Sequence, residues 1–230
     1  MRIRTTVLIS LLLLLCIAVL TLNQRSAQAF DETTIYVNPA TGTFYLEETF
    51  TVNVDIGNVT NLFSYEAKLG FNQTLIKPIG IAEGPFIRGQ TASPSGTFFL
   101  PIIKDDYVHV ACVTLGAYPG VNGSGNLFTV TFNTSAPGES SLSLYDSTLL
   151  DSTVAEITHS TIDGGVLVRV IGDVNGDGVV NIVDMTLVSL SYGTFEGEPG
   201  YNSEADLNDD GIVDMQDLTI VAMHLGEPTI

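Results

Sequence analysis

The chain is predicted to be mainly β: an antiparallel β-sandwich followed by a small α-helical unit. Three observations predict this. Residues 33 to about 170 are rich in Val, Ile, Thr, Phe and Tyr, in short runs separated by Gly, Pro, Asn and Ser. Within several runs apolar and polar residues alternate with period two, the pattern of a strand with one buried face. From Gly172 the composition changes: Gly172–Ile230 holds twelve acidic residues, no Lys or Arg, and an internal repeat.

A leader precedes the first strand. Arg2 and Arg4 are followed by the apolar run Val7–Leu22 and by Ala27-Gln28-Ala29. These are the three parts of a secretory signal peptide, with cleavage expected after Ala29. The apolar run is about 16 residues, short of the roughly 20 that span a bilayer. No other apolar stretch is long enough, so the mature chain is expected to have no membrane span and to be secreted, either extracellular or at a cell surface. The expected division is 1–29 signal peptide, 30–170 sandwich and 171–230 helical unit.

Cleavage removes three of the eight basic residues, leaving five against 26 acidic ones, a net of −21. Such a surface repels nucleic acid and anionic lipid, so nucleic acid is not an expected partner. It suits a cation-binding protein or a high-salt exterior. Cys16 leaves with the leader, and Cys112, alone in the apolar run Val108–Leu115, is expected to be a buried, inert thiol.

The sandwich strands come next. Phe50–Ile56, Leu127–Phe132 and Ser141–Tyr145 alternate with period two, and Gly165–Val170 reads as a final strand. About eight or nine strands, spaced roughly 8 to 15 residues apart, point to an antiparallel sandwich. No stretch of this region has a helical period. Asn58, Asn72, Asn122 and Asn133 head glycosylation triplets, all within the sandwich.

The repeat carries the chemistry. Asp173 to Asp184 recurs as Asp206 to Asp217, offset by 33 residues. Each copy fits a twelve-residue calcium loop. The first offers oxygens from Asp173, Asn175, Asp177, the Val179 carbonyl, Asn181 and Asp184. The second offers Asp206, Asn208, Asp210, the Ile212 carbonyl, Asp214 and Asp217. Gly178 and Gly211 hold the sixth position, where the chain turns sharply. Calcium takes six to eight hard oxygen ligands, which this alternation supplies, so two Ca2+ are expected. The second loop has four carboxylates against three and is expected to bind more tightly. Val180 and Val213, at position eight, are expected to form a β contact between the loops, and Asp209 to point outward. The apolar segments Met185–Leu190 and Leu218–Leu225 read as helices, separated by Gly193, Gly197, Pro199 and Gly200.

No helix is expected before the first loop, and Asp rather than Glu stands at position twelve. The segment Gly172–Ile230 thereby resembles a dockerin module. That resemblance implies calcium-ordered helices with one face docking onto a cohesin on another protein. Loop positions ten and eleven, which set partner choice in that family, are Ile182, Val183, Met215 and Gln216. The absence of basic residues beside them points to an apolar contact, although the same residues also fit a small core. Upstream, Asn58–Asn72, Gly123–Phe132 and Leu149–Ser152 resemble a cohesin-type jelly-roll sandwich, a fold shared with some carbohydrate-binding modules.

His109, His159 and His224 lack a metal-ligand or nucleophile-like neighbour pattern, and no G-x-S-x-G or H-E-x-x-H motif occurs. The chain is therefore expected not to be an enzyme. It reads as a secreted adaptor or scaffold in a polysaccharide-degrading or cell-surface assembly. Its expected partner is a cohesin- or dockerin-bearing protein, another copy of itself included. The alternative is a carbohydrate-binding module, with Tyr36, Tyr45, Tyr65, Tyr107 and Tyr118 as candidate platforms and polysaccharide as ligand.

Overall fold

The computed structural model describes residues 31–226. The expected signal peptide lies outside those residues. Among the described residues, no helix is long and apolar enough to cross a membrane.

Ten strands form: β1 (Thr34–Asn38), β2 (Thr41–Tyr45), β3 (Thr49–Gly70), β4 (Ile76–Glu83), β5 (Thr97–Ile103), β6 (Tyr107–Thr114), β7 (Val121–Thr134), β8 (Gly138–Asp151), β9 (Ser160–Ile162) and β10 (Gly164–Arg169). The long strand β3 belongs to both layers. Its first half pairs with β1 and β7, giving the order β9-β1-β3-β7-β4. Its second half pairs with β6 and β8, giving β5-β6-β3-β8-β10-β2. The change of layer falls where the β3–β7 register slips, between Ile56 and Leu62. Asn58 and Asn61 sit in that bend with φ of 54° and 61°. Asn reaches the left-handed region more easily than a bulky residue, and a bulge bends a strand.

The core lies between the two layers. Val52, Val54 and Ile56 point inward from one half of β3, and Tyr65, Ala67 and Leu69 from the other. Phe44, Phe50, Phe132 and Phe71 form a contiguous aromatic row with centroids 3.9, 5.6 and 5.3 Å apart. Tyr65 stacks on Phe128 at 6.3 Å and donates its hydroxyl hydrogen to the Leu127 carbonyl at 2.8 Å, which ties the layers together. Full burial of such a side chain stabilises by about 1.5–3 kcal/mol. Cys112 is buried in this core as expected, and burial, followed by the neighbouring Glu83 charge, pushes its thiol up to about 12.

One helix was not expected in the sandwich. Helix α1 (Pro85–Gln90) is too short to show a period, but Pro85 at its start favours it. Its Phe86 packs over Gly125, where a Cβ would come within 2.7 Å of the ring.

The C-terminal unit has its own small core of Val170, Val174, Val180, Val188, Ala205, Val213 and Val221. Helices α2 (Ile182–Leu190) and α3 (Met215–Met223) flank it. Both begin three residues before the expected starts, because loop residues cap them. The expected pairing of Val180 with Val213 is not what holds the loops. Val213 exchanges bonds with the stretch after α2, from Gly193 N to Val213 O and from Val213 N to Thr194 O. The Gly226 amide after α3 donates to the Val180 carbonyl at 3.0 Å. Each loop is thus bound by the exit of the opposite helix, which interlocks the two repeats.

Candidate metal centres and docking faces

Both loops are wound by one set of hydrogen bonds. Asp173 accepts the amides of Asp177 and Gly178 at 3.2 and 2.8 Å, and Asp206 accepts those of Asp210 and Gly211 at 3.2 and 2.9 Å. Asp177 and Asp210 accept the amides of Val179 and Ile212, each at 2.9 Å. The side-chain amide of Asn175 reaches Asp177 at 2.7 Å, that of Asn208 reaches Asp210 at 2.9 Å, and that of Asn181 reaches the Val179 carbonyl at 3.1 Å. These bonds bring the groups of positions three and five together in both loops, and those of seven and nine in the first. Gly178 and Gly211 take φ of 85° and 83°, the left-handed region that position six was expected to need.

Position twelve has a second task. Asp184 and Asp217 are fully buried at the starts of their helices. Asp184 accepts the amides of Val174, Asn175 and Asn181, and Asp217 those of Leu207 and Asp214. Position nine reciprocates: Asn181 accepts the Val183 amide at 2.8 Å, and Asp214 the Gln216 amide at 2.7 Å. Each loop therefore closes into a capping box, which satisfies helix-end amides that would otherwise lack partners.

Among the described residues, no three Asp, Glu, His or Cys side chains converge by themselves into a metal-holding group. The donors expected from the sequence also include Asn side chains, two in the first loop and one in the second, and a main-chain carbonyl in each. All these donors are oxygen, a set that fits a hard divalent cation and not a thiolate- or imidazole-seeking metal. The loops differ at Asp206, which also accepts the Tyr201 hydroxyl at 2.7 Å. That bond raises the Tyr201 hydroxyl to about 12. Asp209 at position four is exposed, as expected.

Ile182, Val183, Met215 and Gln216 are all exposed, which rules out the alternative that they form the core. They begin a larger pattern. The exposed positions of α2 are 182, 183, 186, 189 and 190, and those of α3 are 215, 216, 219, 222 and 223. The two sets are related by the repeat offset and contain no charged residue. Leu190 and Met223, 77% and 71% exposed, extend the apolar character to the far end of each helix.

A second exposed face lies on the sandwich. On the outer side of β5, β6, β3 and β8 the registers build three rows. They run Phe98–Val113–Ser64–Leu150, Leu100–Ala111–Glu66–Thr148 and Ile102–His109–Lys68–Tyr145. Phe98 and Leu100 are 56% and 44% exposed. The sequence reading missed this face, although the unbroken apolar run Phe98–Ile103 was its signal: a strand apolar on both sides buries only one. Lys68 pairs with Asp146 at 2.9 Å and lies over the rings of Tyr107 and Tyr145. His109 stands 3.0 Å from Glu66.

The remaining candidates are placed as follows. Asn58, Asn72 and Asn122 are exposed, and Asn133 is half-buried in β7, accepting a hydrogen bond from Thr49. Tyr65 is buried and offers no platform, while Tyr36, Tyr45, Tyr107 and Tyr118 are half-buried. Contrary to the sequence reading, His159 does have a hydroxyl neighbour, with Ser147 Oγ 2.7 Å from its Nε2. Its Nδ1 lies 3.0 Å from the Ile157 carbonyl, so no carboxylate orients it. Neither Ser147 nor His159 lines the hollows at β2–β8–β10, at the two module-junction grooves or on the outer face of β3, β5, β6 and β8. His224 caps the end of α3.

A jelly-roll sandwich with an exposed sheet face, followed by a duplicated loop–helix unit, defines the class of modular docking proteins. The comparisons give the family. Residues 34–168 match the model of the cohesin domain, and residues 171–226 that of the dockerin type I domain. The chain belongs to the cohesin family and carries a type I dockerin behind its cohesin. Its fold is similar to the non-cellulosomal cohesin of the hyperthermophilic archaeon Archaeoglobus fulgidus, with a TM-score of 0.51, 18% identity, and coverage of 60% of this chain and 91% of that one. It is also similar to a chain of a type I cohesin–dockerin complex from Clostridium thermocellum, with a TM-score of 0.50, 14% identity, and coverage of 64% and 99%. A third likeness is the seventh ScaB type I cohesin of Pseudobacteroides cellulosolvens, with a TM-score of 0.50, 14% identity, and coverage of 60% and 93%. No curated protein matches the sequence. Cohesin and dockerin are non-catalytic modules of protein–protein docking.

Proposed function

We propose that the chain is a secreted, non-catalytic adaptor whose dockerin binds two calcium ions and docks through the exposed faces of α2 and α3. The observation that carries this reading is the matched pair of loops. Two twelve-residue segments with oxygen-only donors close into equivalent capping boxes, and each presents the same five helix positions outward, free of charge. The ligands of the first ion are Asp173, Asn175, Asp177, the Val179 carbonyl, Asn181 and Asp184. Those of the second are Asp206, Asn208, Asp210, the Ile212 carbonyl, Asp214 and Asp217. When bound, calcium supplies charge neutralisation for seven clustered carboxylates. The chain's own residues wind the loops, cap the helices and aim Ile182, Val183, Met215 and Gln216 at the partner.

The sandwich spans 30–170 and receives a second module on the outer face of β5, β6, β3 and β8. The resulting assembly is extracellular or at a cell surface, and polysaccharide degradation is the setting that a cohesin followed by a type I dockerin suggests. Calorimetric titration with calcium tests the reading, together with capture of a type I cohesin in calcium and in EGTA. Two bound ions and calcium-dependent capture are expected. A tail that binds no calcium, or that captures the cohesin equally well in EGTA, overturns it.

A further inference from the structure

The two loops offer nearly the same donors but are held differently. Their side-chain donors differ only at position nine, Asn181 in the first and Asp214 in the second. Loop two is clasped by the chain that leads into it. The Gly193 amide donates to the Val213 carbonyl at 2.7 Å, the Val213 amide to the Thr194 carbonyl at 3.0 Å, and the Glu196 amide to the Gly211 carbonyl at 2.9 Å. Phe195 and Ile212 form an antiparallel bridge in the same run. The chain then turns back at Glu198, whose amide donates to the Phe195 carbonyl and whose carbonyl accepts the Tyr201 amide. That turn delivers Tyr201 to the loop. Its ring packs against the small core, and its hydroxyl donates to Asp206, at position one, at 2.7 Å.

Loop one has no such clasp. Among the described residues, its position-one carboxylate, Asp173, accepts only amides of its own loop. The repeat offset of 33 puts Val168 where Tyr201 stands in the second copy, and Val168 is buried in the sandwich core. Loop one is closed instead from α3 and beyond it. The Gly226 amide bonds to the Val180 carbonyl, and Gly172 lies so close to α3 that a Cβ there would be 3.4 Å from the Val221 Cα. Helix α3 itself begins in the capping box of Asp214 and Asp217. Closure of loop one therefore depends on a helix that loop two starts.

We infer that Tyr201 is a positioning residue of the second metal centre and that, through it, loop two takes the first ion. The inference rests on the calcium binding proposed above and adds its order. Asp206 is one of the proposed ligands. A hydroxyl from outside the loop turns its carboxylate into place before the ion arrives, whereas Asp173 is ordered only as its own loop winds. Partners that orient a ligand in this way change metal affinity by about 10- to 100-fold.

The test titrates calcium into the chain lacking only its leader and follows the amide NMR signals of Gly178 and Gly211, one for each loop. In the wild type the Gly211 signal is expected to reach its final position before that of Gly178. Two variants separate the hydroxyl from the charge count. Tyr201→Phe keeps the ring in the small core and every proposed ligand. It is expected to weaken binding at loop two by about tenfold or more, so that the two signals move together. Asp214→Asn gives loop two the donor set of loop one and keeps Tyr201, and Asn181 shows that Asn serves as the cap there. Gly211 is expected still to lead. Circular dichroism at saturating calcium should match the wild type in both variants.

A wild type in which Gly178 leads, or in which the signals move together, overturns the inference. So does a Tyr201→Phe chain whose Gly211 still leads by the same margin. If Tyr201→Phe loses helix at saturating calcium, the hydroxyl supports the fold and does not position the ligand, which also overturns it. An order lost in Asp214→Asn assigns the order to charge and overturns it as well. Two ions bound without order leave the proposed function standing, whereas a chain that binds no calcium sinks both.

Discussion

Arg169, the last residue of β10, pairs with Glu204, which lies two residues ahead of the second loop. The guanidinium offers two nitrogens to the two carboxylate oxygens, so the contact resists rotation as well as separation. It joins the cohesin to the dockerin across a junction where Gly172, with φ of 89°, sits close against Val180 and Val221. The two side chains are 36% and 42% exposed. Such a pair adds only about 0.2–1 kcal/mol to stability. Its effect should appear in orientation and hardly at all in melting. We predict that Arg169→Ala leaves the melting temperature nearly unchanged but broadens the distance distribution from small-angle scattering. High salt should act in the same direction on the wild type. A scattering curve unmoved by both changes would show that the pair does not hold the modules.

The glycines of the calcium loops separate by position. Gly178 and Gly211 at position six have φ near 85°, and Gly176 at position four has φ of 71°. Position four of the second loop is filled by Asp209 with φ of 53°, so that site accepts a side chain. We predict that Gly211→Ala costs about 1–2 kcal/mol from backbone strain alone, since its Cβ would meet only the Glu196 side chain at 3.8 Å. That corresponds to roughly tenfold weaker calcium binding at the second loop. Gly176→Asp should cost little strain by the same comparison. Calorimetric titration of the two variants checks the ordering, and equal losses would refute it.

The buried thiol sets an alkaline limit. Burial raises Cys112 from 9.0 to about 12, and burial also raises the Tyr65 hydroxyl beside it. Both groups stay protonated in the folded chain while the unfolded chain releases its protons. Their stabilisation is complete below pH 9 and is lost as pH rises toward 12. We predict that the sandwich's melting temperature falls steeply over that interval and that Cys112→Ala makes the fall shallower. A thiol reagent at neutral pH should react only on denaturation. Rapid labelling of the native chain would contradict the burial.

The residues explain what was legible in the sequence. The strands of the sandwich announced themselves where one face is buried and the other wet, as in Phe50–Ile56. The dual role of β3 did not, because the bend at Asn58 and Asn61 depends on pairing with β7 far along the chain. The bounds of the two repeated loops and their position-six glycines were legible, since their pattern is local and its spacing is fixed by the winding of the loop. The capping role of Asp184 and Asp217 was hidden because one side chain serves two tasks, which moved both helix starts forward. The sheet face was missed for a different reason. Its rows are assembled from four strands, and only β5, with Phe98, Leu100 and Ile102 on one side and Phe99 and Ile103 on the other, is visibly apolar on both sides.

Asp184 allows the two tasks of position twelve to be measured together. Its carboxylate is fully buried and accepts three amides, so its removal strips α2 of its capping box and the first loop of one of the ligands proposed above. Loss of the cap alone costs about 0.5–2 kcal/mol, and the buried amides left without acceptors add about 1–3 kcal/mol. The second loop keeps Asp217 and its own box, so it should still take its ion. We predict that Asp184→Ala reduces calcium stoichiometry from two to one and lowers the helical signal in calcium. Asp217→Ala should do the same through the other loop. The interlock of Val180 with Gly226 and of Val213 with the stretch after α2 adds a further consequence. Losing either helix loosens the opposite loop, so the surviving ion should bind more weakly than in the wild type. Two ions bound with unchanged affinities in either variant would show that position twelve is a cap and not a ligand.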